Sequence, residues 1–139
     1  MITKARIGQH RFARGVLDNC GWSCLFCGFT LGTEVTGHLL RASHIKPWRD
    51  SAWKERTDPR NGIAACPTHD AAFDAGLIGL GLDQRIVVSG RLRRAAATNH
   101  AVWTAFSPPV LRERLSESAL AAPLGMDYTH WHRTVVFTD

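Results

Sequence analysis

Residues 42–74 read ASHIKPWRDSAWKERTDPRNGIAACPTHDAAFD, and the spacing of polar groups in this stretch decides how the chain is read. Pro67 suits the first turn of a helix and Gly76 its C-terminal stop, which predicts a helix over residues 67–75. Asp70 and Asp74 then lie four residues apart on one helical face. Upstream, Asp58-Pro59-Arg60-Asn61-Gly62 is strong turn chemistry and puts Asn61 at a bend before the short apolar run Ile63-Ala64-Ala65. Residues 33–45 (TEVTGHLLRASHI) read as a hairpin about Thr36-Gly37, or as a long loop entering a strand. Leu39 and Leu40 pack in either case, and His44 falls near the strand's end, where Pro47 limits further ladder pairing.

The same stretch shares a second pattern with its neighbour. Cys24-Leu25-Phe26-Cys27-Gly28 has the spacing of a metal knuckle, with Gly28 permitting the tight turn that brings two thiolates to one ion. A CxxC alone is weak, because a free Cys often packs as a small hydrophobe. Cys66-x-x-His69 supplies the other half, so Cys24, Cys27, Cys66 and His69 predict a tetrahedral structural zinc site. Cys20 is the spare, either packed in the core or replacing one of those ligands.

The remainder of the chain bounds the reading. At 139 residues it is expected to be one domain, large enough to bury a core without disulfides. Its apolar runs are too short for a membrane span and the basic start MITKARIGQHRF has no apolar stretch, so the expected compartment is the cytoplasm. The net charge of +5 is uneven: residues 1–60 hold ten Lys/Arg against five Asp/Glu, and residues 61–139 seven against seven. A basic first half suits a polyanion, although many soluble proteins carry such a charge.

A helix over residues 6–17 is predicted with Ile7, Phe12, Val16 and Leu17 inward and Arg11 and Arg14 elsewhere on its surface. Apolar runs on either side of Asp83-Gln84 predict an extra β-hairpin. Beyond about residue 92 a helical extension is expected. It comprises a short helix capped by Thr98 or Asn99, a polar helix over residues 110–118, and a closing helix over 127–137 packed through Trp131, Val135 and Val136.

Phosphodiester hydrolysis needs a base for water and a cation to neutralise the scissile phosphate. His44 is the natural base, since an unperturbed imidazole titrates near pH 6.5. Asp70 and Asp74 offer hard oxygens that favour Mg²⁺ or Mn²⁺ over zinc, with Ni²⁺ a further candidate. Asn61 either fixes the strand that bears the base or ligates the ion. Arg41, Lys46, Arg49, Arg60 and Arg133 are candidate phosphate contacts, and Trp48 stacks on a sugar or base or joins the core.

The order His44…Asn61…His69-Asp70 resembles the HNH endonuclease family, whose motif sits in a ββα-metal fold. RASHIKPW (41–48), DPRNG (58–62) and HDAAFDAGLI (69–78) resemble its bacterial restriction-associated branch, with RIGQHRF (6–12) similar to that branch's leading helix and HWHRTVVF (130–137) to its closing one. The resemblance implies an α+β fold: a ββα-metal core over about residues 20–80 with a zinc knuckle, flanking N- and C-terminal helices and the extra hairpin. It implies a restriction-related, metal-dependent DNA endonuclease with His44 as general base, Asn61 as the middle residue and Asp70 at the third position. His69 then serves the zinc; the literal letters H-N-H select His69 for the catalytic ion instead, and Cys20 would complete the zinc. Where the family often carries Asp or His before the base, this chain has Ser43. The alternative is a zinc-stabilised nucleic-acid-binding module without catalysis; a zinc-knuckle protein-interaction domain is the third reading. DNA is the expected partner and no membrane is. A homodimer is compatible with a double-strand cut, and either weak sequence preference or targeting by a partner or fused domain is expected.

Overall fold

The computed structural model describes residues 4–31 and 39–139, with the backbone alone for residues 4 and 5. The chain opens with helix α1 (Lys4–Asn19), which buries Phe12, Val16 and Leu17 as the apolar spacing predicts and leaves Ile7 exposed. A cysteine-bearing loop follows, in which Cys24, Leu25 and Phe26 are fully buried. The hairpin turn expected at Thr36-Gly37 lies outside the described residues.

Strand β1 (Arg41–His44) finds its partner later in the chain. It pairs antiparallel with β2 (Gly62–Ala65), in register Arg41↔Ala65 through His44↔Gly62. His44 is therefore the last residue of its strand, as expected. Between the strands run a 3₁₀ turn (Trp48–Asp50), the one-turn helix α2 (Trp53–Arg56) and a second 3₁₀ turn (Pro59–Asn61). Asp58 caps that second turn by accepting from the Arg60 N–H at 2.9 Å, so the DPRNG segment bends as its chemistry dictates. The whole of β2 is buried, and α1 lies so close to it that a Cβ on Gly62 would strike the Val16 side chain and come within 2.9 Å of Phe12 Cζ.

Helix α3 (Pro67–Asp74) starts at its proline and stops before Gly76, which takes a positive φ of 74°. It packs Ala72 and Phe73 into the core. With β1 and β2 it completes a ββα unit flanked by α1. Strands β3 (Ile78–Leu80) and β4 (Ile86–Val88) form the extra hairpin, with Asp83 and Gln84 both at positive φ in its turn. This is the α+β architecture predicted, and among the described residues no helix is long and apolar enough to cross a membrane.

The C-terminal extension departs from expectation in three places. Helix α4 (Gly90–Thr98) was not anticipated as a separate element; Ser89 caps it by accepting from the Leu92 N–H at 3.2 Å. Helix α5 (His100–Ala105) has the predicted Asn99 cap. The polar helix expected over residues 110–118 does not form. Ile86 N–H instead donates to the Glu113 carbonyl at 2.9 Å and Arg114 bridges Arg85, so this segment extends the β3–β4 hairpin, with Leu111 and Leu115 buried. The edge of that hairpin offered hydrogen bonds that outweigh a weak helical pattern. The closing helix is α6 (Met126–Trp131) followed by a wider π-type turn (His132–Val136). The widened turn leaves Val135 exposed and sends His132 inward in its place.

Candidate metal centre and active site

Cys24, Cys27, Cys66 and His69 converge, their ligating atoms all within 4.8 Å of one another. Cys66 Sγ lies 3.3 Å from His69 Nδ1 and 3.9 Å from Cys27 Sγ, and Cys24 Sγ lies 3.9 Å from His69 Nδ1. The turn after β2 and the first turn of α3 present Cys66 and His69, and the loop after α1 presents the other two. His69 Nε2 donates to the Ala105 carbonyl at 2.8 Å, which turns Nδ1 toward the sulfurs. Burial works against the charged imidazole, but hydrogen bonds with Cys24 and then Cys66 push its pKa up to about 10, and a bound cation would take the place of the Nδ1 proton. Phe106 meets the same ring edge-on at 5.4 Å, so α5 closes one side of the cluster. Hydrogen bonds from Cys24 and then Cys27 hold the Cys66 thiol far below its ordinary value. Contacts with Cys24 and then Cys66 push Cys27 up. Three sulfurs this close favour negative charge on one of them, and a soft cation would favour it on all three.

This donor set fits zinc in number, chemistry and outer-shell support. It also places His69 with the cysteines. Cys20 stands outside: it is fully buried in the core and burial pushes its thiol up to about 11.

On β1, neighbouring residues face opposite ways. Ser43 faces α3 and donates a short hydrogen bond to Asp70 Oδ1, while His44 faces α1. The His44 ring stacks on Phe12, centroids 3.8 Å apart and planes 5° apart, and meets Trp48 edge-on at 5.8 Å. Its Nε2 donates to the Arg56 carbonyl at 2.8 Å, so Nδ1 carries the lone pair. Burial lowers the His44 pKa, which favours that neutral form.

Asp70 is half-buried and Asp74 exposed, one turn apart on α3. Burial raises the Asp70 pKa; the Ser43 hydroxyl opposes the rise and the charge of Asp74 adds to it. Like charges held together this way are relieved by a cation.

Asn61 is fully buried and its amide is engaged on every side. Oδ1 accepts the Lys46 N–H at 2.9 Å, and Nδ2 donates to the Glu55 carbonyl at 3.0 Å and, at longer range, to Lys46 O and Ser51 Oγ. It clasps the two ends of the segment between β1 and α2, one residue before the Arg56 carbonyl that holds His44. Of the two roles open to it in the sequence, the geometry supports the bracing one.

The cationic residues divide. Arg41 and Arg49 are exposed, Arg49 lying 3.7 Å from Asp50. Lys46 pairs with Glu55 at 3.0 Å and sits 4.7 Å over the Trp131 ring. Arg60 Nε donates to Pro123 O at 2.7 Å, and Arg133 donates through Nε to Leu80 O at 2.8 Å and through Nη2 to Gly81 O at 3.3 Å. Those guanidiniums tie the C-terminal extension to the core. Sequence reasoning did not anticipate the Phe12 platform or the Arg56 carbonyl as supports of His44, since the first reads as packing and a backbone group leaves no signal.

The sequence pattern of the family described as HNH endonuclease matches residues 24–81, a span holding the four-residue cluster, His44, Asn61, Asp70 and Asp74. The match to the HNH endonuclease family covers residues 24–81, less than half of the chain. In three dimensions the chain is similar to a solved structure titled modification dependent TagI restriction endonuclease, with a TM-score of 0.54 over 88% of this chain at 17% sequence identity. That likeness concerns the fold, and the chain spans 36% of the length of the TagI chain. No curated protein matches the chain. The matched span covers β1, β2 and α3, the ββα unit described above.

Proposed function

We propose that the chain is a metal-dependent DNA endonuclease domain in which His44 is the general base and Cys24, Cys27, Cys66 and His69 hold a structural zinc. The observation that carries the proposal is the His44 arrangement: Nε2 fastened to the Arg56 carbonyl, Nδ1 free to accept a proton, and burial keeping the ring neutral. His44 Nδ1 takes the proton of a water as its oxygen attacks phosphorus, the bond from phosphorus to the leaving oxygen breaks, and that oxygen takes a proton from solvent. Asp70 and Asp74 would hold a divalent ion, Mg²⁺ or Mn²⁺ by the hardness of their oxygens and Ni²⁺ as a further candidate. When bound, such an ion supplies charge neutralisation at the scissile phosphate. Asn61 positions the base-bearing loop. Arg41 and Arg49, on the exposed rim, are the cations best placed to meet phosphate, with Lys46, Arg60 and Arg133 acting through the scaffold.

A second reading is favoured by one observation. Ser43 occupies the place of a ligand and donates to Asp70, which supports a zinc-stabilised nucleic-acid-binding module without catalysis. The nuclease reading goes with specificity supplied by a fused domain or partner, and paired chains would suit a double-strand cut.

Nicking of supercoiled plasmid in EDTA, Mg²⁺, Mn²⁺ and Ni²⁺, beside His44→Ala, separates the readings. The nuclease reading expects nicking that needs added metal and vanishes in the variant, which keeps its fold and zinc. Equal activity in the variant would end the base assignment. Salt-sensitive DNA binding without cleavage by either protein would favour the silent module.

A further inference from the structure

Beside His44 the surface carries an open depression of about 400 Å³, lined by Ile7, Gly8, Arg11, Phe12, Trp53 and Thr57. Its floor is Phe12, whose ring also stacks under His44. Its wall is Trp53, 60% exposed, which opens the short helix whose last residue, Arg56, fastens His44 Nε2. Ile7, 41% exposed, lies in the same lining, so the apolar surface here is a shared patch and not a lone side chain. Arg11 is exposed on the rim, with no ion pair among the described residues, and Lys54 is exposed next to Trp53. The lining holds no acidic residue.

An open apolar depression flanked by cations, its Phe12 floor shared with the proposed general base, matches the chemistry of a nucleotide: an aromatic face with an anion attached. The geometry points to a subsite in which one nucleobase beside the scissile phosphate stacks on Trp53 while Arg11 meets the neighbouring phosphate. The inference rests on the nuclease reading above and deepens it by naming what part of the substrate the protein grips. Base–aromatic stacking tolerates every base, so the slot anchors the strand without reading its sequence.

The test is a cycle between protein and DNA. The cut is first mapped on an end-labelled duplex with an unpaired stretch across the cut, where bases are free to stack on protein. Versions carrying one abasic nucleotide at each unpaired position are then bound in EDTA, followed by anisotropy, and cleaved with added metal, using the parent, Trp53→Ala and Trp53→Phe. The expected result is that Trp53→Ala weakens binding and raises KM about tenfold with kcat little changed, while Trp53→Phe stays within about threefold of the parent. One abasic position should cost the parent about tenfold and add nothing to Trp53→Ala. Arg11→Ala should lower the slope of log affinity against log salt by about one. Additive losses at every position, or parental binding by Trp53→Ala, would overturn the subsite even if plasmid is still cut. A parent that neither binds nor cuts DNA would instead bring down the nuclease reading itself. Circular dichroism melting checks that Trp53→Ala folds, as an exposed side chain leads one to expect.

Discussion

Replacing Asn61 by Ala removes a side chain that is fully buried and makes two short hydrogen bonds, from Lys46 N–H at 2.9 Å and to Glu55 O at 3.0 Å, besides two longer ones. Alanine can make neither, and the Lys46 N–H and the Glu55 carbonyl lose their partner inside a loop that excludes much of the water. Each such loss costs about 1–2 kcal/mol, so the total is about 2–4 kcal/mol. For a chain of 139 residues that lowers the melting temperature by roughly 6–14 °C. Because the freed segment ends in the carbonyl that orients His44, kcat for plasmid nicking should fall about 10- to 100-fold, with KM little moved. Asn61→Asp sharpens the argument. A carboxylate still accepts from Lys46 but cannot donate to Glu55 and carries a buried charge, so the bracing role expects a loss at least as large. A ligand role would expect the carboxylate to lower the divalent-ion concentration needed for nicking. Thermal melts and metal titrations of both variants decide it; an unshifted melting temperature in Asn61→Ala, or tighter metal dependence in Asn61→Asp, would refute the bracing account.

Metal analysis of purified protein should find one zinc per chain, and Cys66→Ala should lose it and fail to melt cooperatively, because structural zinc binding is itself folding energy. Cys20→Ala should keep the zinc, its sulfur lying outside the cluster. Gly62→Ala should destabilise by about 1–3 kcal/mol, read by urea unfolding, since the added Cβ collides with Val16 and crowds Phe12. Acidification should weaken the fold through His132, whose pKa burial lowers below the ordinary imidazole value. Folding favours its neutral form, so its contribution is complete above about pH 6.5 and drains as pH falls through the lower folded value. His132→Phe keeps a ring against Phe73, where the imidazole now stacks at 3.7 Å, and should flatten that part of the stability profile measured between about pH 7 and 5.

Much of the site was legible because its spacings are local. Pro67 and Gly76 bracket α3 and so put Asp70 and Asp74 on one face, whatever packs around them. The paired half-sites Cys24-x-x-Cys27 and Cys66-x-x-His69 name a donor set, since four soft ligands have few other uses together. The turn chemistry at Asp58–Gly62 placed Asn61 at a bend. Other features needed the assembled chain. Whether His69 served the cysteines or a second ion depended on which way α3 faced, and the Ala105 carbonyl, thirty-six residues away, completed the answer by taking Nε2. The apparent helix over residues 110–118 lost to the open edge of a hairpin, an offer invisible in its own residues.

His44 shows the division most clearly. Its identity as the candidate base came from the sequence, because only imidazole titrates near neutrality. Its setting came from tertiary contacts: Phe12 beneath the ring, Trp48 at its edge and the Arg56 carbonyl on Nε2. The sequence by itself determined which groups could bear the chemistry and which elements carry them, since helix and turn geometry fix spacing over a few residues. Only the tertiary structure decided the tautomer, the burial and the bracing of each group, because those depend on backbone carbonyls and ring faces brought in from distant parts of the chain.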